Sequence, residues 1–351
     1  MCSFLVTSWL ISNLTAVNMF LVPRGPDGTT TVQRGPFTFV HNLLHMTGER
    51  VQQPFVDDEV VAVYNGEIYN SRQVPEGVEG RHKFRSDGEC IVPSYRHLGP
   101  RFPKILDGEW ALTLVDFAKR VAIVSADVFA TKPLWYSLHE GFHAASYQSA
   151  LLALGLPQES LRTAEPNKVL VLNLDWRAEA TPGPGVVRAE EKESFAVHEF
   201  DLRQFKETTD DWQKAFRRAV WKRTAGSNHP AFVGLSSGYD SGALHLALES
   251  EAAAHSVNYF TVSAEELPGV VASRLAAHHR SVARAWMLQL SLSDFVAERA
   301  WLEKAAEPFR YGKSNWAGGS VQEDGAAAGL SAIFRRCRNL EFVVISLTLQ
   351  D

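Results

Sequence analysis

The hydrophobic rhythm of this chain changes once, and that change calls for two separately folded regions. Up to about Asp175 apolar residues recur at alternate positions between clusters of turn residues, the pattern of short β-strands. The clearest case runs from Glu109 to Asp127. There Trp110, Leu112 and Leu114 alternate up to Phe117–Arg120, and the chain returns through Val121, Ile123 and Ser125, which predicts a hairpin. Lys168–Asn173 predicts a further strand. From Thr181 to Phe195 proline, glycine and the charged run Arg188–Glu193 predict a linker. Beyond it come an amphipathic helix with Trp212, Phe216, Ala219 and Val220, a strand Ala231–Leu235, a helix from about Ser241, a strand Val257–Val262 and a helix near Val270–His279. A helix over Ala326–Cys337 and a strand Glu341–Ser346 follow. Strands separated by helices imply right-handed crossovers and a parallel sheet. The expected division is a first domain over 2–180, a linker over 181–200 and a second domain over 201–351.

A length of 351 residues fits about two domains. Thirty-five Lys plus Arg against 40 Asp plus Glu leave a charge of −5, so no basic field exists to bind nucleic acid. Three cysteines, Cys2, Cys90 and Cys337, are too few for a disulfide framework or a four-ligand zinc site, and they fit a reducing, cytoplasmic setting. Phe4–Val22 imitates a targeting segment, but no Lys or Arg precedes it and Ser8, Ser12, Asn13 and Asn18 interrupt it; no membrane association is expected.

Met1-Cys2-Ser3 carries chemistry of its own. Removal of Met1 would leave a cysteine whose α-amine, with a pKa near ~7.7–8.0, could take the thiol proton at neutral pH. Taken alone, the dipeptide also fits the second residue of a buried strand.

Four motifs follow in order: Arg24-Gly25-Pro26-Asp27, Tyr64-Asn65-Gly66-Glu67-Ile68-Tyr69-Asn70, Ser86-Asp87-Gly88-Glu89 and Thr131-Lys132-Pro133-Leu134-Trp135-Tyr136. With Cys2 they resemble the class II glutamine amidotransferase domain of glutamine-hydrolysing asparagine synthetases, over roughly the first 175 residues. The resemblance implies an α+β N-terminal-nucleophile (Ntn) hydrolase, an αββα sandwich. Read locally, Asn65-Gly66 is a β-turn signal. The resemblance instead makes the Asn65 amide and the Gly66 N–H an oxyanion hole beside the catalytic Cys2. It further implies that Asp87 binds the α-ammonium of glutamine and that Leu44 and Glu67 complete the glutamine contacts, while Arg24–Asp27 reads as an architectural turn. One departure stands out. The family has an Arg two residues after a His to clamp the glutamine carboxylate, and here His41-Asn42-Leu43-Leu44 puts Leu43 in that place, with Arg50 as a nearby substitute cation.

Gly234–Gly242 lies between the strand at Ala231–Leu235 and the helix that follows. Locally it is a Gly/Ser turn with an Asp or Ser cap, or a loop whose N–H groups approach phosphate. The run Ser236-Ser237-Gly238-Tyr239-Asp240-Ser241 resembles the Ser-Gly-Gly-X-Asp-Ser loop of ATP pyrophosphatases, with Ser237 replacing a Gly. The resemblance implies an α/β HUP-like (adenine nucleotide α-hydrolase) domain. In it Leu235 and Val262 would meet adenine or ribose, Ser236, Gly238 and Ser241 would hold phosphate, and Asp240 would coordinate Mg²⁺.

The implied activity is ATP-dependent amidation of aspartate with glutamine as amide donor. Its cofactors are ATP and Mg²⁺, its partners glutamine, ATP and aspartate or a related carboxylate, and relatives form homodimers. A Ser-Gly-X-Gly-X-Asp-Glu loop should follow Ser346, yet the sequence runs Leu347-Thr348-Leu349-Gln350-Asp351. The chain therefore reads as an incomplete form of the second domain. Two alternatives are a catalytically incompetent binding or regulatory protein and a β-lactam-synthetase-like amidotransferase acting on another carboxylate. His278, His279 and Arg280 read as a solvated face, Asn13-Leu14-Thr15 as an incidental glycosylation match, and Trp212, Trp221, Trp286 and Trp301 as core or groove residues.

Overall fold

The computed structural model describes residues 2–46, 49–74, 77–79, 83–176, 187–224, 231–250, 257–263, 266–276, 285–307, 329 and 331–333. The chain divides into two units, Met1–Leu202 and Arg203–Asp351.

The first unit contains β1 (Ser3–Thr7), α1 (Leu14–Val17), β2 (Gly28–Arg34), β3 (Phe37–Leu43), β4 (Phe55–Val56), β5 (Val60–Ile68), α2 (Ile91–Leu98), β6 (Gly108–Asp116), β7 (Val121–Ala126), β8 (Trp135–Ser137), β9 (His143–Ala145), α3 (Gln148–Ala153), β10 (Arg162–Thr163), β11 (Lys168–Trp176) and β12 (Val187–Ala196). They build two six-stranded antiparallel sheets, ordered β10-β8-β9-β1-β3-β2 and β12-β11-β7-β6-β5-β4.

Alternation along the strands assigns the layers. Phe4 and Val6 of β1 and Phe37 and Phe39 of β3 meet Val61 and Val63 of β5 between the sheets. The intervening residues Leu5 and Val40 face outward onto Val17 of α1 and Leu151 of α3. On the far side Ala62, Tyr64, Leu112 and Leu114 pack on Ile91 and Tyr95 of α2. The result is four layers, α/β/β/α. Because both sheets are covered on both faces, their central strands are nearly continuous apolar runs such as Val60-Val-Ala-Val63. Each large side chain fully buried this way contributes roughly 1.5–3 kcal/mol.

The expected hairpin forms as β6 and β7, with Leu114 opposite Ile123. One expectation fails, and one local turn signal is not realised. The linker expected over 181–200 is in large part β12, which pairs with β11 from Lys168↔Ala196 to Trp176↔Val187. Its charge run made it look unstructured, but it is an edge strand whose residues are mostly solvated, and the unit continues to Leu202. Asn65-Gly66 is not a turn. Both residues lie inside β5, opposite Ala111 and Trp110 of β6.

The second unit contains α4 (Asp210–Thr224), β13 (Ala231–Gly234), α5 (Tyr239–Ser250), β14 (Val257–Ser263), α6 (Pro268–Ala276), β15 (Ala285–Gln289) and α7 (Leu292–Ala305). The strands form the expected parallel sheet, ordered β13-β14-β15, with α5 and α6 in the connections. Val220 of α4 joins Val233, Leu235, Leu244 and Leu248 in its core. Trp212 and Trp221 do not enter that core: they are 63% and 54% exposed, Trp212 stacking on Phe216. β15 and α7 go beyond the elements expected from the sequence, although Ser291 and Asp294 form a capping box at the start of α7. His278, His279, Arg280, Cys337 and Glu341–Ser346 lie outside the described residues. Among the described residues no helix is long and apolar enough to cross a membrane.

Candidate active site

Cys2 stands one residue ahead of β1, and the β1–β3 register explains its surroundings. Ser3 pairs with Asn42, so the register carried one step further sets Cys2 opposite Leu43. The half-buried thiol lies against Leu44, whose N–H donates to Sγ at 3.4 Å and whose carbonyl is 3.7 Å from it. Burial pushes the thiol pKa up; the Leu44 N–H and the chain's amino terminus pull it back, and the carboxylates of Asp87 and Glu67 push it up further.

Arg24–Asp27 holds this arrangement in place. The Arg24 Nε donates to the Cys2 carbonyl at 3.4 Å, Nη1 donates to the Tyr147 hydroxyl at 2.7 Å, and the guanidinium lies 5.0 Å over the Tyr147 ring. Gly25 packs so closely on β3 that a Cβ would fall 2.1 Å from the Asn42 carbonyl oxygen. Asp27 donates its N–H to the Leu43 carbonyl at 2.9 Å and accepts from the His45 N–H at 2.7 Å. The motif is a turn, as the sequence suggests, and it also ties the nucleophile's backbone to the strand end that touches its thiol. Sequence reasoning missed that role, for which the Arg and Asp flanking Gly-Pro were the available signal.

Across the interior, Asn65 continues the series Val61, Val63 on the inward face of β5. Cys2 continues Phe4 and Val6 inward in the same way, and His41 continues Phe37 and Phe39. Asn65 is fully buried, and neither its Nδ2 nor its Oδ1 has a hydrogen-bond partner among the described residues. Buried amides are normally satisfied, so this one is available for a ligand. Gly66 allows β5 to approach β6: its φ is 154°, and a Cβ would lie 2.0 Å from the Glu109 carbonyl oxygen. His41 is fully buried, and burial holds its pKa at about 3 against a weaker pull from the Tyr64 backbone. It stays neutral at physiological pH.

Asp87 enters from the turn Asp87–Cys90, fixed by a capping box between Ser86 and Glu89. It accepts from the Tyr64 hydroxyl at 2.5 Å and the Ile68 N–H at 2.7 Å. Burial raises its pKa, while those donors work in the opposite direction. Glu67 pairs with Glu109 across β5 and β6, and the Nζ of the buried Lys132 sits 3.1 Å from the Glu109 carboxylate. Asp127 accepts from the N–H groups of Trp110, Phe129 and Thr131, so the Thr131–Tyr136 motif braces the strand behind Gly66. Leu43 is buried and offers no donor. Arg50, the suggested substitute, is exposed and donates to the Asp27 carbonyl.

In the second unit Leu235 is buried at the end of β13, its N–H donating to the Phe260 carbonyl and its carbonyl accepting from Thr261. The Ser236 and Ser241 hydroxyls meet at 2.7 Å, and Gly238 and Asp240 are exposed at the start of α5. Val262 packs partly into the Phe232–Phe260 cluster. Among the described residues no group of three metal-ligating side chains occurs. Two loop partners were absent from the sequence reading: Glu266 and Arg274, 29 and up to 38 positions along the chain. No local signal marks either.

A cysteine heading the first strand of an α/β/β/α sandwich, with a buried amide on the inward face of the opposite sheet, is the arrangement of an Ntn-hydrolase fold. Residues 2–181, just over half of the chain, match the glutamine amidotransferase domain family, and the chain belongs to that family. It is 29% identical over 226 residues to a putative glutamine-hydrolyzing asparagine synthetase of Methanocaldococcus jannaschii, covering 59% of this chain and 39% of that protein. A probable glutamine-hydrolyzing asparagine synthetase of Schizosaccharomyces pombe is 33% identical over 135 residues, 37% of this chain and 24% of the relative. The amidase chyE of Penicillium rubens is 26% identical over 296 residues, 72% of this chain and 42% of the relative. The chain thus spans less than half the length of these curated relatives.

Proposed function

We propose that the chain works in a glutamine-dependent, amide-forming ligation of the asparagine synthetase type, with the first unit supplying ammonia. The observation that carries this reading is the buried, unpartnered Asn65 amide on the strand facing Cys2. In the proposed step the Cys2 thiolate attacks the side-chain carboxamide carbon of glutamine, its proton having passed to the α-amine freed by loss of Met1. The oxyanion takes hydrogen bonds from the Asn65 Nδ2 and the Gly66 N–H, each donor contributing about 3 kcal/mol in such sites. The thioester forms as ammonia leaves, and water then releases glutamate. Asp87 faces the substrate ammonium, a charge-assisted pairing.

The loop of the second unit fits a phosphate group, because its Ser237 N–H and hydroxyl already hold a carboxylate, that of Glu266. Ser236, Gly238 and Ser241 would hold ATP phosphates, Leu235 and Val262 its adenosine, and Asp240 the accompanying Mg²⁺. Bound ATP would supply activation of the acceptor carboxylate. Ser236 and Ser241 orient each other, and Thr261 fixes the strand end at Leu235. Aspartate is the acceptor on this reading. Similarity to the amidase chyE over 72% of the chain favours a second reading, in which another carboxylate is amidated.

The test is intact mass together with ammonia release from glutamine, in the wild type and in Cys2→Ala. A chain lighter by one Met with Cys2-dependent ammonia supports the reading. Retained Met1, or ammonia release unchanged in Cys2→Ala, overturns it.

A further inference from the structure

The loop Ser236–Gly238 has three backbone N–H groups, and all three are taken by side chains of the unit itself. Ser236 donates to the Ser241 hydroxyl at 3.0 Å and Gly238 to the Ser236 hydroxyl at 3.1 Å. Ser237 donates to Glu266 Oε2, which also accepts from the Ser237 hydroxyl at 2.5 Å. The Leu267 N–H closes back on the Ser237 oxygen at 3.2 Å. Arg274 holds the opposite side. Its guanidinium donates to the carbonyls of Ser236, Ser237 and Gly238, the last at 2.9 Å. Glu266 lies just ahead of α6 and Arg274 within it, so one segment grips both polarities of the loop.

We infer that Glu266 is a built-in competitor for the Ser237 donors of this loop, and that a phosphate-bearing ligand reaches those donors only by displacing it. The inference rests on the nucleotide-loop reading above and adds a regulatory contact to it. A carboxylate at a strand-to-helix loop takes the same N–H donors and the same helix-end potential that favour phosphate. It is tethered, so it competes at high effective concentration whenever α6 is docked. No second carboxylate contacts the Ser237 donors among the described residues. Release of Glu266 frees the Ser237 N–H and hydroxyl together, and Arg274 remains on the loop carbonyls to keep the loop's shape.

The test is calorimetric titration of the full chain with MgATP and, separately, with inorganic pyrophosphate. Wild type is compared with Glu266→Ala and Glu266→Gln, with circular dichroism to verify folding. The expected result is at least about tenfold tighter binding of both ligands to Glu266→Ala, the loss of one charge-assisted competitor. Glu266→Gln, which keeps an acceptor without the charge, should fall between. Equal or weaker binding by folded Glu266→Ala overturns the competitor and leaves the nucleotide loop standing. Absence of binding in all three proteins overturns the nucleotide-loop reading and the competitor with it.

Discussion

The Leu44 backbone meets the Cys2 sulfur with both of its polar groups, its N–H at 3.4 Å and its carbonyl at 3.7 Å. The N–H supports a thiolate and the carbonyl supports a thiol, so the two groups of Leu44 accommodate the sulfur on either side of its proton transfer. Arg24, Gly25 and Asp27 hold them there by fastening the end of β3 to the residues around Cys2.

Native alkylation should separate the two described cysteines. Burial and the Asp87 charge raise both thiol pKa values, but Cys2 is partly exposed whereas Cys90 is fully covered. In a Cys337→Ser background, iodoacetamide should modify Cys2 at a rate that climbs with alkaline pH and leave Cys90 untouched until urea unfolds the chain. Mass mapping of the two peptides reads the result; early Cys90 labelling would contradict it.

Asn65→Ala should lower kcat for ammonia release from glutamine by about 100- to 1,000-fold with KM little changed. Because the amide has no partner among the described residues, its removal should leave the urea midpoint nearly unchanged. A large loss of stability would mean that the amide is structural.

Leu43→Arg should improve glutamine use. The β1–β3 register sets position 43 beside Cys2, where a guanidinium would reach the substrate carboxylate. A KM for glutamine at least about tenfold lower is expected. An unchanged KM in a folded variant would show that another group already binds the carboxylate.

Gly66→Ala should destabilise the first unit by about 3 kcal/mol or more, since its Cβ would occupy the Glu109 carbonyl. Chemical denaturation measures this. Near-wild-type stability would show that β5 and β6 can part without cost.

Acid should weaken the fold through two histidines. Burial lowers the pKa of His41 from 6.5 to about 3 and that of His143 to about 4. The unfolded chain therefore binds more protons than the native one below 6.5, and stability present above that pH is lost as pH falls toward those values, by about 1.4 kcal/mol per pKa unit. Urea midpoints at pH 7 and pH 5 should differ more for the wild type than for His41→Phe. Identical slopes would assign the acid sensitivity elsewhere.

The strands made visible by alternation, β6, β7 and β11, or by a short apolar run between helices, β13 and β14, formed because those patterns matched the layers they bury in. Elements decided by distant partners were not legible. Arg188–Glu193 looks like a linker until β11 offers it an edge, and Asn65-Gly66 looks like a turn until β6 comes close enough to require a glycine mid-strand. The ordered motifs placed Cys2, Asn65 and Asp87 in one region of the first unit. The Leu44 and Arg24 contacts and the Glu266 grip depend on register and packing between segments far apart in sequence, which no local pattern encodes.

The charged strand β12 has a consequence for the molecule's life in a crowded solution. It is one rim of the second sheet, and its central residues Glu190, Glu191, Lys192 and Glu193 are solvated. A foreign strand seeking that open row of amides would have to strip water from these charges and set its own side chains among them. The apolar sheet behind it, rich in Val and Leu, is thereby shielded from fibrillar growth along that rim.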